Sequence, residues 1–129
     1  MAMSSLFAVL IGGALGSALR WVVGLWLNAL LPTLPLGTLA ANLAGGFIIG
    51  GALGVFDQFQ SLPPEIRLFV ITGFCGGFTT FSTFSAETVT LLLRQQYAWT
   101  FAIVSVHLLG SLAMTLAGIG AVRLLLRSP

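Results

Sequence analysis

Lysine is absent from this chain of 129 residues, and charge of either sign is scarce: five arginines, three acids and one histidine. Charged residues make up 6% of the sequence, against roughly 25% in a soluble globular domain. So few charges cannot keep in water a chain that is 57% hydrophobic with a mean hydropathy of +1.07. A lipid bilayer is the expected solvent. The arginines, at 20, 67, 94, 123 and 127, are scattered, which leaves no basic face for nucleic acid. The pI near 9.5 reflects few titratable groups rather than a polybasic patch. Cys75 is the only cysteine, so an intrachain disulfide is excluded and no oxidising compartment is implied. One histidine, one cysteine and three acids also make a side-chain metal cage a poor expectation. The N-terminal stretch has neither the basic start nor the soluble body behind it that accompany a cleaved signal peptide.

What the chain has is long apolar runs. Each crossing needs about 20 mostly apolar residues, so four take up roughly 80 and leave short connections, whereas five leave almost none. The expectation is an all-α membrane protein with four transmembrane helices in a single domain over residues 1–129. The spans run over about residues 4–31, 36–59, 65–93 and 98–126. They are bounded by Pro32-Thr33-Leu34-Pro35, by Asp57 to Ser61 with Pro63-Pro64, and by Arg94-Gln95-Gln96, with Arg123 and Arg127 at the end. Runs without alternation fit helices and not barrel strands. Trp21, Trp26, Tyr97 and Trp99 lie towards span ends, where amphipathic rings favour the interface.

Orientation is weakly marked. With four spans, Arg67, Arg123 and Arg127 share one side, while Arg94 lies on the other and Arg20 leans towards it. Under a rule that counts only Lys and Arg, this permits either a fixed topology or insertion both ways, and hence an antiparallel homodimer. Gly12/Gly16, Gly46/Gly50, Gly50/Gly54 and Gly73/Gly77 are GxxxG pairs, which let backbones approach closely in lipid. They predict tight helix contact without naming the partner.

The chemistry concentrates in Gly73-Phe74-Cys75-Gly76-Gly77-Phe78-Thr79-Thr80-Phe81-Ser82-Thr83-Phe84-Ser85, inside the third span. Glycine costs a helix interior about 1 kcal/mol and threonine is a weak helix former, so Gly76-Gly77 ahead of Thr79-Thr80 predicts a break near mid-membrane. Freed carbonyls there must be buried in protein or line a cavity, and broken helices coordinate ions with such oxygens. Phe81 and Phe84 share a helical face, and the positive edges of their rings attract an anion gently. Ser82 and Thr83 put hydroxyls beside them. In the fourth span His107, Ser111 and Thr115 recur every four residues as a polar stripe, although Ser and Thr also bond back to their own helix. His107 reads equally as a pore residue or as an interhelical donor. Asn42 in the second span adds an amide with two N–H donors. Arg20 and Glu87, ionisable groups inside apolar segments, are functional candidates by position. Arg20 reads as a source of positive potential at a vestibule and Glu87 as a pathway or capping residue; alternatively, both are side chains that snorkel to span ends or pair with each other structurally.

Gly12-Gly13 with Arg20-Trp21, then Gly37-Thr38-Leu39-Ala40-Ala41-Asn42, then GFCGGFTTFSTFSAE at 73–87 together resemble the Fluc (also called CrcB) fluoride channels of microbes, over essentially the whole chain. The resemblance implies a passive fluoride channel of the bacterial inner membrane that exports cytoplasmic fluoride and so limits its toxicity. It implies a dual-topology antiparallel homodimer with two pores and a central structural sodium, held by the backbone carbonyls of Gly76 and Thr79 from both subunits. It further implies that Phe81, Phe84 and Asn42 line the fluoride path, and that Ser111 and neighbouring hydroxyls form a polar track. Neutral donors and ring edges suit a strongly hydrated anion that must bind weakly enough to leave. The competing readings are a small multidrug antiporter, which needs an intramembrane carboxylate that the first span lacks, and a noncatalytic subunit packing a larger complex.

Overall fold

The computed structural model describes residues 2–126; Arg127, counted above among the charges closing the fourth span, lies outside them. Among the described residues the elements are α1 (Ala2–Leu27), α2 (Leu36–Gln58), α3 (Pro64–Arg67), a π-helical stretch (Leu68–Cys75), α4 (Gly76–Phe78), α5 (Phe81–Leu93) and α6 (Tyr97–Leu126). They make four segments long and apolar enough to cross a membrane, the third being the composite Pro64–Leu93. These lie close to the expected spans except at the end of α1, which stops at Leu27 and not near Leu31. Asn28 explains the early stop. Its Oδ1 accepts a 2.8 Å hydrogen bond from Gly37 N at the start of α2, fixing the connection in turns before Pro32 is reached. Trp21, Trp26, Tyr97 and Trp99 are all exposed, as interfacial rings would be.

The helices pair closely, α1 with the first half of the third span and α2 with α6, and glycines make both approaches possible. A Cβ on Gly12 would stand 2.5 Å from Phe69 O, and one on Gly16 would collide with Phe74 O. Gly73 and Gly77 meet α1 from the opposite side, against Val9 and Gly13. Across the second seam, Gly46 and Gly50 lie on the Ser111 and Thr115 carbonyls, and Gly54 on Val122. The four GxxxG pairs thus serve packing within one chain. A Gly50→Ala substitution, whose new methyl would overlap the Thr115 carbonyl, is expected to cost about 2 kcal/mol by overpacking. Gly120→Ala, with nothing within 4 Å of its Cβ position, is the control. Melting in detergent should fall for the first and hold for the second; equal behaviour would mean that the seam is loose.

The third span is interrupted, but not where the glycines predict. Gly76 is helical (φ −61°, ψ −37°), and α4 continues to Phe78. The break falls at Thr79 (φ −85°, ψ 159°) and Thr80 (φ −152°, ψ 117°). Both are extended conformations that β-branched residues adopt readily. The glycine pair is instead a matter of contact: Gly77 touches α1, while a Cβ on Gly76 would find only Ile71 O, at 3.9 Å. Beyond the break, α5 turns into α6 through Gln95 at φ 58°, a left-handed residue of the kind that commonly ends a helix. Fully buried Ile103 packs with Leu34 and Leu91, and Phe84 lies against this core.

Candidate functional site

A broken helix leaves amides and carbonyls without their usual partners, and here side chains take them up. Thr79 N and Thr79 Oγ1 both donate to Cys75 O, at 2.9 and 2.7 Å, closing the first half-helix. Arg20 reaches from α1 and donates through Nε to Gly77 O at 2.9 Å, placing a cation at a helix C-terminus, where it is favoured. Thr80 is the N-cap of α5, its Oγ1 accepting from Thr83 N at 3.2 Å. Such caps are worth about 1 kcal/mol.

Asn42 holds the break open. Its Oδ1 accepts from Thr80 N at 2.7 Å and its Nδ2 donates to Thr80 O at 3.1 Å, so the amide pairs with the extended residue much as a neighbouring strand would. Nδ2 also lies 3.1 Å from His107 Nδ1. Two carbonyls are thereby released. Thr80 N, which would bond Gly76 O in an unbroken helix, is taken by Asn42; Thr83 N, which would bond Thr79 O, is taken by Thr80 Oγ1.

A cavity of about 410 Å³ opens on this junction. Asn42, Gly76, Thr79 and Thr80 line it together with Phe81, Phe84, His107, Ser111 and Thr115. The Phe81 and Phe84 rings meet edge to face, centroids 5.5 Å apart. Phe84 stacks on the His107 imidazole at 4.5 Å. Phe81 is 78% exposed on the single chain, and His107 is buried. Thr115 Oγ1 donates back along its own helix to Ser111 O at 3.0 Å, so its proton is already engaged. A second cavity, of about 440 Å³, also reaches the break at Thr80, with Arg20, Asn28, Thr38 and Thr83 in its wall.

The structure therefore gathers Asn42, Phe81, Phe84, His107, Ser111, Thr115, Gly76 and Thr79 around one cavity, and puts Arg20 and Thr83 on the other. Ser82 is exposed, 3.3 Å from Thr80 Oγ1. Glu87 accepts from Thr38 Oγ1 at 2.6 Å, while its Oε2 is buried without a partner. Thr80 and Thr38 carry structural roles that sequence reasoning did not assign. A Thr three residues ahead of Thr83 and one turn of helix between Thr38 and Asn42 were the signals available.

A four-span membrane protein whose third helix is interrupted and capped by side chains, with two cavities that both reach Thr80 at the gap, has the parts a small-ion pathway needs. Residues 7–119 match the family model described as CrcB-like protein, Camphor Resistance (CrcB). The chain is 63% identical to a fluoride-specific ion channel FluC of Nitrosospira multiformis, across 95% of this chain and 96% of that one. It is 57% identical to a FluC of Chromobacterium violaceum (91% and 93% covered) and 54% identical to one of Pseudomonas syringae pv. maculicola (91% and 92% covered). The chain belongs to the CrcB/FluC family of fluoride-specific ion channels, which are bacterial multi-pass membrane proteins and not enzymes. Membership of a channel family sets aside the antiporter reading.

Proposed function

We propose that this protein, as one channel domain of a bacterial inner membrane, lets cytoplasmic fluoride leave passively, and that two copies assemble antiparallel with a path in each half. One observation carries the reading: Asn42 holds the third span open at Thr80 beside a cavity walled by Phe81, Phe84, His107 and Ser111. Neutral donors and ring edges replace part of the hydration shell of a small anion without trapping it, as conduction requires. Thr115 lines this cavity and Ser82 lies exposed beside the break, Thr83 and Arg20 line the second cavity, where Arg20 raises the positive potential, and Glu87 stands at a path end. The test is fluoride efflux from proteoliposomes of the purified chain, read with a fluoride electrode and with chloride as the control. Vesicles that stay tight to fluoride would overturn the proposal.

The same reading gives sodium a structural place. The Gly76 and Thr79 carbonyls, released at the break, are the hard neutral oxygens by which interrupted membrane helices bind sodium. Gly76 is exposed on the single chain, with only Ile71 O within 4 Å of where a Cβ would stand, which suits a cation shared with a second copy. Bound there, sodium would supply positive charge that ties two breaks together. Exchange of sodium for a bulky organic cation should lower fluoride efflux at least tenfold and shift the dimer towards monomer in size-exclusion chromatography. Unchanged flux and elution would remove sodium from the assembly.

A further inference from the structure

The orientation of the Asn42 amide is fixed by backbone atoms of known character. Thr80 N can only donate and Thr80 O can only accept, so the atom facing the first is Oδ1 and the atom facing the second is Nδ2. The same Nδ2, which can only donate, lies 3.1 Å from His107 Nδ1. That ring nitrogen must therefore be bare. The proton of the neutral imidazole sits on the other nitrogen, and a doubly protonated ring would set donor against donor. His107 is 4% exposed, and its Nε2 is buried with no hydrogen-bond partner. A buried N–H is rarely left without an acceptor, and this one belongs to a ring in the wall of the cavity that also holds Phe81, Phe84 and Ser111.

We infer that the Thr80 backbone, acting through Asn42, locks His107 in the Nε2–H tautomer, and that this N–H, covered within the single chain, donates to fluoride once the ion enters the cavity beside the ring. The inference rests on the fluoride reading above and adds an atom and a protonation state to it. Stacking on Phe84, 4.5 Å between centroids, fixes the plane of the ring, so the donor direction is set before an ion arrives. One amide thus keeps the helix broken and selects the tautomer.

His107 is the only histidine, so selective ¹⁵N-histidine labelling reports on this ring alone. The experiment pairs that spectrum, recorded in lipid with and without sodium fluoride and with sodium chloride as control, with efflux from vesicles of the same protein. The expected spectrum shows Nε2 protonated, Nδ1 bare, and an Nε2 resonance that moves with fluoride and not with chloride. His107→Phe, which keeps a flat ring against Phe84 but no donor, should lower fluoride efflux about tenfold, the loss of roughly one charge-assisted hydrogen bond. His107→Gln, which keeps an N–H near the Nε2 position, should retain most of the flux. A conducting protein with Nδ1 protonated would overturn the inference. So would a conducting protein whose Nε2 resonance ignores fluoride, or one whose Phe and Gln variants lose flux equally. A wild-type protein that does not conduct fluoride would instead sink the underlying proposal.

Discussion

An Asn42→Asp channel is expected to release no measurable fluoride. The substitution is nearly isosteric, and one carboxylate oxygen would still accept from Thr80 N, at present 2.7 Å from Oδ1. The other oxygen would stand where Nδ2 now donates, 3.1 Å from both Thr80 O and His107 Nδ1. Acceptor would face acceptor at Thr80 O, and towards the new oxygen the His107 ring would have to move its proton to Nδ1. Each lost buried hydrogen bond costs about 1–3 kcal/mol, and every 1.4 kcal/mol is a factor of ten. Loss of the Thr80 O bond alone is a roughly fivefold to hundredfold effect, before any repulsion between the new charge and the anion is counted. Efflux of fluoride from vesicles at matched protein density is the measurement. Flux within threefold of the wild type would show that Asn42 neither supports the break nor serves the path.

Phe84→Ile and Phe81→Ile are expected to stop conduction while leaving the protein folded, and for different reasons. Phe84 is wedged between the Ile103 core and the His107 ring. Isoleucine there removes a stacking surface and lets the imidazole turn, at a stability cost of about 1–3 kcal/mol. Phe81 is exposed and leans on Phe84 at an interplanar angle of 68°, so its replacement costs little stability. What it removes is the positively polarised ring edge, which a branched alkyl group cannot supply. Flux assays together with elution profiles separate the two cases: both variants should fail to conduct, and only Phe84→Ile should melt noticeably earlier. Normal flux in both would dispose of the aromatic path.

Four spans, their approximate limits and an interrupted third helix were legible in the sequence because composition, length and helix propensity act locally. The position of the interruption was not. Gly76-Gly77 is the weaker helix segment by propensity, yet the chain stays helical there and breaks at Thr79–Thr80, since tertiary bonds from Asn42 and a local cap at Thr83 reward the extended form. The GxxxG pairs announced contact but not partners, because a small residue permits close approach without selecting the surface that comes near; packing between helices far apart in sequence made that choice. The stripe of His107, Ser111 and Thr115 was readable as a face of α6, whereas the return of the Thr115 proton to Ser111 O and the pairing of His107 with Asn42 depend on rotamers and neighbours. Arg20 was visible as an ionisable group in apolar surroundings. Its bond to Gly77 O could be found only once the break had freed that carbonyl.

Thr79 and Thr80 hold ordinary dihedral angles, so nothing in the local covalent chain forbids a continuous helix from Pro64 to Leu93. The gap is a property of the bundle. It depends on Asn42, which lies in the second span and binds Thr80 at both its N–H and its carbonyl. A peptide of the third segment alone, placed in lipid, would be free to close its ladder across Thr80, and the proposed ion route would be lost with the gap.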